Sequence, residues 1–132
     1  MPYTHIVFVY GTLRQGQPNR CVMEPHLVRE LGKGQIRGAM YDWGFCPAVT
    51  LEEGSVVVGE WVKVTEEGLK ALDRLEGYPH LYDRAMVEDM ANGLRGWVYH
   101  VPAVKAKESG ERVQGGDWVE YVLRSSSRVT RR

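Results

Sequence analysis

Runs and alternations of apolar residues predict two strands most clearly. The segment His5–Tyr10 is short, apolar and rich in β-branched and aromatic residues, which is typical of a buried strand. The segment Val56–Val64 alternates between apolar residues and small or polar ones, as a half-exposed strand does. A strand-rich core is therefore the first prediction.

A helix is predicted over residues 66–76. Leucines at 69, 72 and 75 recur at helical spacing and supply one apolar stripe. Thr65 is placed to cap the first turn, where two glutamates suit the positive end of the helix dipole. Gly77 then ends the helix.

A second helix is predicted after the first strand. Asn19 is placed to cap a helix from Arg20, whose apolar face extends to Leu31. Pro25 lies inside this helix and predicts a late start or a kink.

Four further strands complete the predicted sheet, at residues 35–43, 48–51, 82–90 and 94–101. Gly38 allows a close backbone approach in the first of them. Asn92-Gly93 predicts a tight hairpin between the last two. The polar residues 102–116 are expected to form an excursion from the fold, and 117–123 a helical turn or short strand that packs back on it.

The predicted elements amount to about six strands and one or two helices, which makes the fold class α+β. Frequent hairpins favour a closed or nearly closed sheet with a helix over one mouth. Residues 1–124 are expected to form a single domain, because 132 residues suffice for only one. Residues 125–132 predict a disordered basic tail.

Composition and charge exclude some classes of function. Seventeen basic and seventeen acidic residues give a formal net charge of zero, whereas nucleic-acid binding usually needs a basic surplus. The longest apolar run, Ile6–Tyr10, is far too short to span a membrane, and no secretory signal precedes it. With only Cys21 and Cys46, reduced thiols and a cytoplasmic location are expected.

The turn after the first strand is one candidate site. In Tyr10-Gly11-Thr12-Leu13 a strand ends at glycine and turns at once, so several backbone N–H groups lack a ladder partner. Such a concave run of donors binds a carboxylate or a developing oxyanion. The lysine and glycine spacing of a nucleotide-binding loop is missing. From the residues alone, an ordinary strand-to-loop turn remains the alternative.

The end of the predicted helix is the other candidate site. Glu76 meets the negative end of the helix dipole there, and the neighbouring apolar and aromatic residues add desolvation, so its pKa should rise. A glutamate tuned in this way suits a base that becomes an acid near neutral pH. The alternative is a solvated Glu76 beside Arg74, with Asp73 as an ordinary surface residue.

The other residue patterns are weaker indications of chemistry, and nothing in them singles out Cys21 or Cys46 as a nucleophile. The four histidines are scattered without metal-ligand spacing, so neither a metal nor a cofactor is expected. No serine has the context of a nucleophile elbow. Oligomeric state is left open.

Two motifs in combination resemble the gamma-glutamylcyclotransferase-like family, which includes gamma-glutamylamine cyclotransferases. They lie about sixty residues apart and the likeness runs from Ile6 to about Leu123. The motifs are Val9-Tyr10-Gly11-Thr12-Leu13-Arg14 with Gly16 and Asn19, and Leu72-Asp73 with Leu75-Glu76-Gly77-Tyr78-Pro79, Tyr82 and Arg84, followed by Trp97-Val98-Tyr99 and Gly115-Gly116-Asp117-Trp118.

This resemblance implies a small mixed β-barrel with flanking helices and a site made of named residues. Glu76 matches the family's catalytic glutamate. The loop Tyr10-Gly11-Thr12-Leu13 matches the one that holds the glutamyl group through backbone donors. Tyr82 matches a tyrosine near the pocket, with Arg84 and Tyr99 as secondary candidates.

The implied activity is release of 5-oxoproline from a small-molecule gamma-glutamyl amine or peptide. The leaving amine is expected to meet a wall built from loops such as Gly44–Pro47 and Pro102–Gly116. The second hypothesis is a non-catalytic small-molecule or regulatory protein that keeps the pocket, since one fold can serve several functions. A nucleic-acid-binding barrel is the third, and zero net charge disfavours it.

Overall fold

The structure is a computed structural model that describes residues 3–130, except for the side chains of Ser109 and of residues 126–130. It contains eight strands and four helices. In chain order these are β1 (Thr4–Val9), α1 (Arg20–Met23), β2 (Leu27–Arg37), β3 (Ala39–Asp42), β4 (Pro47–Thr50), β5 (Val56–Thr65), α2 (Glu66–Glu76), β6 (Asp83–Glu88), β7 (Arg95–His100), α3 (Ala103–Ser109), β8 (Glu111–Arg112) and α4 (Trp118–Thr130).

The strands form two sheets. The larger has the order β2-β5-β1-β7-β6, and the smaller has the order β4-β3-β8. Only the β1–β7 pair is parallel among the described residues. Gln35 lies in β2 and Met90 follows β6, the two edge strands of the larger sheet. The Met90 N–H nevertheless donates to the Gln35 carbonyl at 2.8 Å, which shows that the sheet curls and brings its edges together. The α+β class is confirmed, with eight strands in two sheets among the described residues where about six strands were predicted.

The strongest local patterns are confirmed. The alternating segment forms β5, and α2 spans residues 66–76 as predicted. The Thr65 hydroxyl accepts a bond from the Gly68 N–H at 3.0 Å, which caps the first turn. Gly77 ends α2 with φ of +66°, a left-handed conformation that favours glycine.

The helix predicted from Arg20 to Leu31 is wrong. Helix α1 is a single turn, and after a 3-10 turn over Glu24–His26 the chain enters β2 at Leu27. Pro25 has no N–H to continue the helical ladder. The eleven residues of β2 instead pair with β5 along their length, with two register shifts, and this long-range pairing overrides the helical spacing.

The C-terminal third contains more structure than its composition indicates. The excursion predicted for residues 102–116 includes α3 and the short strand β8, and the helical alternative for residues 117–123 is confirmed by α4. Helix α4 is assigned through Thr130, and residues 131–132 lie outside the described residues. The disordered tail at 125–132 stays a prediction.

A buried carboxylate that follows the edge strand β6 joins it to β2 and β5 at the opposite edge of the larger sheet. Asp89 is 6% exposed and accepts from the Trp61 indole at 2.8 Å, from the Gln35 N–H at 2.9 Å, and from the Ala91 and Asn92 N–H groups. Burial opposes ionisation of Asp89, but these four bonds outweigh it and hold its pKa below the usual value. Through its bonds to the Ala91 and Asn92 N–H groups, Asp89 therefore stabilises the predicted hairpin turn between β6 and β7.

We expect Asp89→Asn to lower the free energy of unfolding by about 1–3 kcal/mol at pH 7, because an amide cannot accept all four bonds. The pKa of Asp89 is lower in the folded chain than the value of about 3.9 expected in the unfolded chain. The stability that the carboxylate contributes is therefore fully present above about pH 3.9 and is lost as the pH falls through the pKa of the folded chain. The difference between variant and native chain should therefore shrink on acidification. Urea unfolding measures it, with the exposed neighbour Glu88→Gln as control; equal effects of both substitutions would contradict the role of Asp89.

Candidate active site

A cavity of about 140 Å³ opens between the loop after β1, the end of α2 and the start of β4. Its lining comprises residues 8–13, 19, 46–47, 75–76, 81–82 and 99. All predicted primary residues, from Tyr10–Leu13 to Glu76 and Tyr82, therefore lie around one space. Tyr99 lines it too, whereas Arg84 does not.

The loop after β1 turns sharply and packs closely on β4. The Arg14 N–H donates to the Gly11 carbonyl at 3.0 Å, which closes a tight turn. A Cβ atom at Gly11 would lie 2.5 Å from Cγ of Pro47, so only glycine fits there. Asn19 ties the far end of the loop back to Thr12 by a backbone bond of 2.9 Å and a side-chain bond of 3.0 Å.

Buried ion pairs fix this loop to the rest of the fold. The Arg14 guanidinium is 5% exposed and bonds Glu60 of β5 at 3.0 Å and Asp117, which precedes α4, at 2.8 Å. Glu60 also accepts the Gln15 N–H at 3.0 Å. Because two charged partners from distant segments hold it, the loop has one defined position.

Three consecutive backbone donors in this loop lack a protein acceptor. Among residues 3–130, no turn or loop hydrogen bond is donated by the N–H groups of Gly11, Thr12 or Leu13. All three residues line the cavity. The arrangement is therefore able to bind a carboxylate or an oxyanion.

Glu76 is the last residue of α2 and carries a mostly buried carboxyl group. Its carboxyl oxygens make no hydrogen bond or ion pair within the part of the chain that the structure describes. Burial raises the pKa of Glu76 to about 7, which the sequence attributed first to the helix dipole. A carboxyl group with this pKa can accept and return a proton near neutral pH.

The tyrosines around the cavity keep their protons. The Tyr10 hydroxyl donates to the Tyr99 carbonyl at 2.8 Å, and the Tyr82 hydroxyl donates to the Pro47 carbonyl at 3.0 Å. Burial, together with the nearby Glu76 carboxylate, raises the pKa of both hydroxyls. Glu76 is therefore the lining group best suited to proton transfer at neutral pH.

Asp73 is not the ordinary surface residue that the sequence left as an alternative. Arg84 donates to both of its oxygens, at 2.9 and 3.2 Å, and the Tyr99 hydroxyl donates at 2.7 Å. The guanidinium of Arg84 lies 4.4 Å from the ring centroids of both Tyr78 and Trp97. Arg84 thus acts at a distance from the cavity, by holding Asp73 and Tyr99 in place.

Sequence reasoning missed part of the lining. It assigned Asn19 to a helix cap and Leu75 to the apolar stripe of the helix beside Glu76, and it did not single out Leu81. The loop Gly44–Pro47 contributes Cys46 and Pro47 as expected, but Pro102–Gly116 contributes no lining residue. The nearness of Leu81 to Glu76 in sequence is the signal that could have identified it.

The described residues show few other functional features. Both cysteines are free thiols, as expected. No group of three or more metal-ligating side chains lies together within residues 3–130. Within the same range, no helix has the length and apolar character needed to cross a membrane.

Comparisons with known proteins agree on one family. The sequence model of the family described as "Gamma-glutamyl cyclotransferase, AIG2-like" matches residues 7–120. Gamma-L-glutamyl-butirosin B gamma-glutamyl cyclotransferase of Niallia circulans is 33% identical over 131 residues, which cover 93% of this chain and 81% of the relative. Gamma-glutamylaminecyclotransferase of Bos taurus is 33% identical over 102 residues, covering 68% and 59%. The crystal structure of an AIG2-like protein from Mus musculus superposes with a TM-score of 0.74 at 26% identity, covering 88% of each chain.

The raised pKa of Glu76 predicts a specific pH dependence of stability. In the unfolded chain a glutamate titrates near about 4.3, whereas in the folded chain its pKa is about 7. Ionisation therefore costs stability increasingly as pH rises from the first value to the second. We expect Glu76→Gln to be more stable than the native chain by about 1–3 kcal/mol at pH 8, a figure discounted for partial exposure.

The same comparison at about pH 4 should show almost no difference, because the native carboxyl group is then neutral in both states. Urea unfolding across this range measures it. The exposed Glu67→Gln, in the first turn of the same helix, is the matched control and should show no such gain. A gain that is constant across the pH range would show that Glu76 titrates as an exposed glutamate.

Proposed function

The chain belongs to the gamma-glutamyl cyclotransferase, AIG2-like family, and on that premise we propose that it releases 5-oxoproline from gamma-glutamyl amines or peptides, with Glu76 as base and then acid. The observation that carries this proposal is a mostly buried, unpaired carboxyl group of pKa about 7 beside three free backbone donors. The substrate class and the role of Glu76 are the parts that go beyond family membership.

The reaction needs no nucleophile from the protein, because the substrate carries its own. The α-amino nitrogen attacks the side-chain carbonyl carbon, a carbon–nitrogen bond forms, and a five-membered ring closes. The bond from that carbon to the leaving nitrogen then breaks. One proton passes from the attacking nitrogen to the leaving one, so the sum is 5-oxoproline and a free amine.

Glu76 would carry that proton. Its ionised carboxylate accepts from the α-amino group as the ring closes, and the resulting acid donates to the departing amine. General acid–base transfer of this kind contributes roughly 10²–10⁴ to a rate. A pKa of about 7 suits both halves of the cycle, since neither protonation state is strongly disfavoured at neutral pH.

The loop would hold the substrate in the attack geometry. The N–H groups of Gly11, Thr12 and Leu13 are suited to bind the α-carboxylate or the carbonyl oxygen on which negative charge gathers. The ion pairs of Arg14 keep these donors in a fixed position. Preorganisation of this kind contributes on the order of 7–11 kcal/mol in favourable cases.

The direct test is release of 5-oxoproline from a panel of gamma-glutamyl amines and dipeptides. We expect Glu76→Gln to lower kcat by at least about a hundredfold, because it keeps the shape of the side chain and removes the base. Glu67→Gln, exposed on the same helix, should retain native activity. Release by the native chain that survives Glu76→Gln would contradict the role of Glu76, and no release from any member would favour the binding-protein hypothesis.

The pH dependence of the native enzyme provides an independent check. Because the base must be ionised to act, kcat/KM should rise as pH increases through an apparent pKa of about 7. Steady-state assays between pH 5 and 9 measure it. An acid limb near about 4.3, the value of an exposed glutamate, would be incompatible with Glu76 as the buried base.

A further inference from the structure

Three lining residues form an apolar rim where the cavity meets solvent. We define the rim as Cys46, Leu75 and Leu81. Leu75 is 36% exposed and Leu81 is 48% exposed although both line the cavity, so they lie at its mouth. Burial raises the pKa of the Cys46 thiol, which therefore stays uncharged at neutral pH.

The rim is a fixed surface beside the Glu76 carboxyl group. Leu75 immediately precedes Glu76 on α2. The Leu81 N–H donates to the Gly77 carbonyl at 2.8 Å, and the Leu81 carbonyl accepts from the Lys105 ammonium at 3.3 Å. Helix α2 fixes the backbone of Leu75, and the turn at Gly77 fixes the backbone of Leu81. Both leucines therefore stay at the mouth of the cavity.

The cavity offers no second carboxylate to a cationic group. Glu76 is the only acidic residue in the lining as the structure describes it. The next carboxylate whose charge reaches Cys46 is Asp42, and its two oxygens already accept from the Gly44 N–H at 2.7 Å and the Tyr121 hydroxyl at 2.6 Å. A second ammonium on the substrate would have to compete for Glu76.

The leaving group must pass the rim if Glu76 protonates it. Proton transfer requires the leaving nitrogen to be within hydrogen-bond reach of the carboxyl group. With the glutamyl part on the loop donors, as proposed above, the substituent on the leaving nitrogen would extend past Glu76 toward the mouth. It would there meet Leu75 and Leu81, two lining residues whose apolar side chains favour an apolar substituent.

Resting on the proposed function, we propose that this enzyme takes gamma-glutamyl conjugates of apolar, uncharged amines in preference to those of diamines. Leu81 is the residue that determines this preference, through direct contact with the leaving group. A terminal ammonium loses hydration at the rim, and the described lining offers it no carboxylate other than Glu76.

An isosteric pair of substrates tests the preference. Gamma-glutamyl-n-pentylamide and the gamma-glutamyl conjugate of 1,4-diaminobutane differ only by a terminal methyl group or ammonium. We expect kcat/KM to favour the pentylamide by about tenfold or more, and to rise up to about fourfold per methylene in an n-alkyl series.

Equal or inverted order within this pair would overturn this inference and leave the proposed function intact. No release of 5-oxoproline from either substrate or from the n-alkyl series would contradict the proposed function and the inference with it. The native chain alone decides between these outcomes, so the result does not depend on whether a variant folds.

The role of Leu81 is tested by the variant Leu81→Glu. The matched control is Met86→Glu on β6, which introduces the same charge at a side chain that is 54% exposed and does not line the cavity. Leu81→Glu should raise the ratio of kcat/KM for the diaminobutane conjugate over the pentylamide by at least about threefold, through a new partner for the ammonium. Met86→Glu should leave the ratio unchanged. An unchanged ratio in both variants would show that Leu81 does not contact the leaving group.

Discussion

The antiparallel pairing of β1 with β5 is the constraint on which the site depends. The register runs from Thr4 opposite Thr65 to Val9 opposite Glu60, so β5 ends beside the start of β1. Helix α2 begins there and packs on β1. Its eleven residues extend for about 16 Å, nearly the length of a six-residue strand. The last residue of the helix, Glu76, therefore comes to the end of β1, where the loop begins.

Two carboxyl groups on helix α2 behave differently because their surroundings differ. Asp73 and Glu76 are three residues apart, so both point toward the same side of α2. Asp73 is bonded to Arg84 and Tyr99 and serves to hold the structure, while Glu76 has no such partner within the described residues. A carboxyl group that is buried without partners is costly when ionised, and this cost is what places its pKa near neutrality.

The loop that faces Glu76 is held by charges as well as by apolar packing, since Tyr10 and Leu13 are buried in the core. Arg14 is nearly inaccessible to solvent and joins the loop to β5 and to the start of α4 through Glu60 and Asp117. Within residues 3–130, the N–H groups of Gly11 to Leu13 donate to no protein acceptor in this loop. The loop is thus held firmly in place while these three N–H groups stay available to a ligand.

The sequence by itself determined the elements whose signals are local, together with the candidate residues. The caps of α2 at Thr65 and Gly77 and the alternation of β5 act over a few residues, and two short motifs identified Glu76 and the Tyr10–Leu13 loop. Tertiary structure decided the rest. Residues 27–31 have helical spacing but pair as β2, because a ladder to β5 satisfies more backbone groups than an isolated helical turn does. The cavity that Glu76 and Leu81 line is completed by the β1 loop and the start of β4, which are distant from both in sequence, and no local pattern encodes that contact. The pairing of Asp73 with Arg84 likewise depends on how β6 returns to α2.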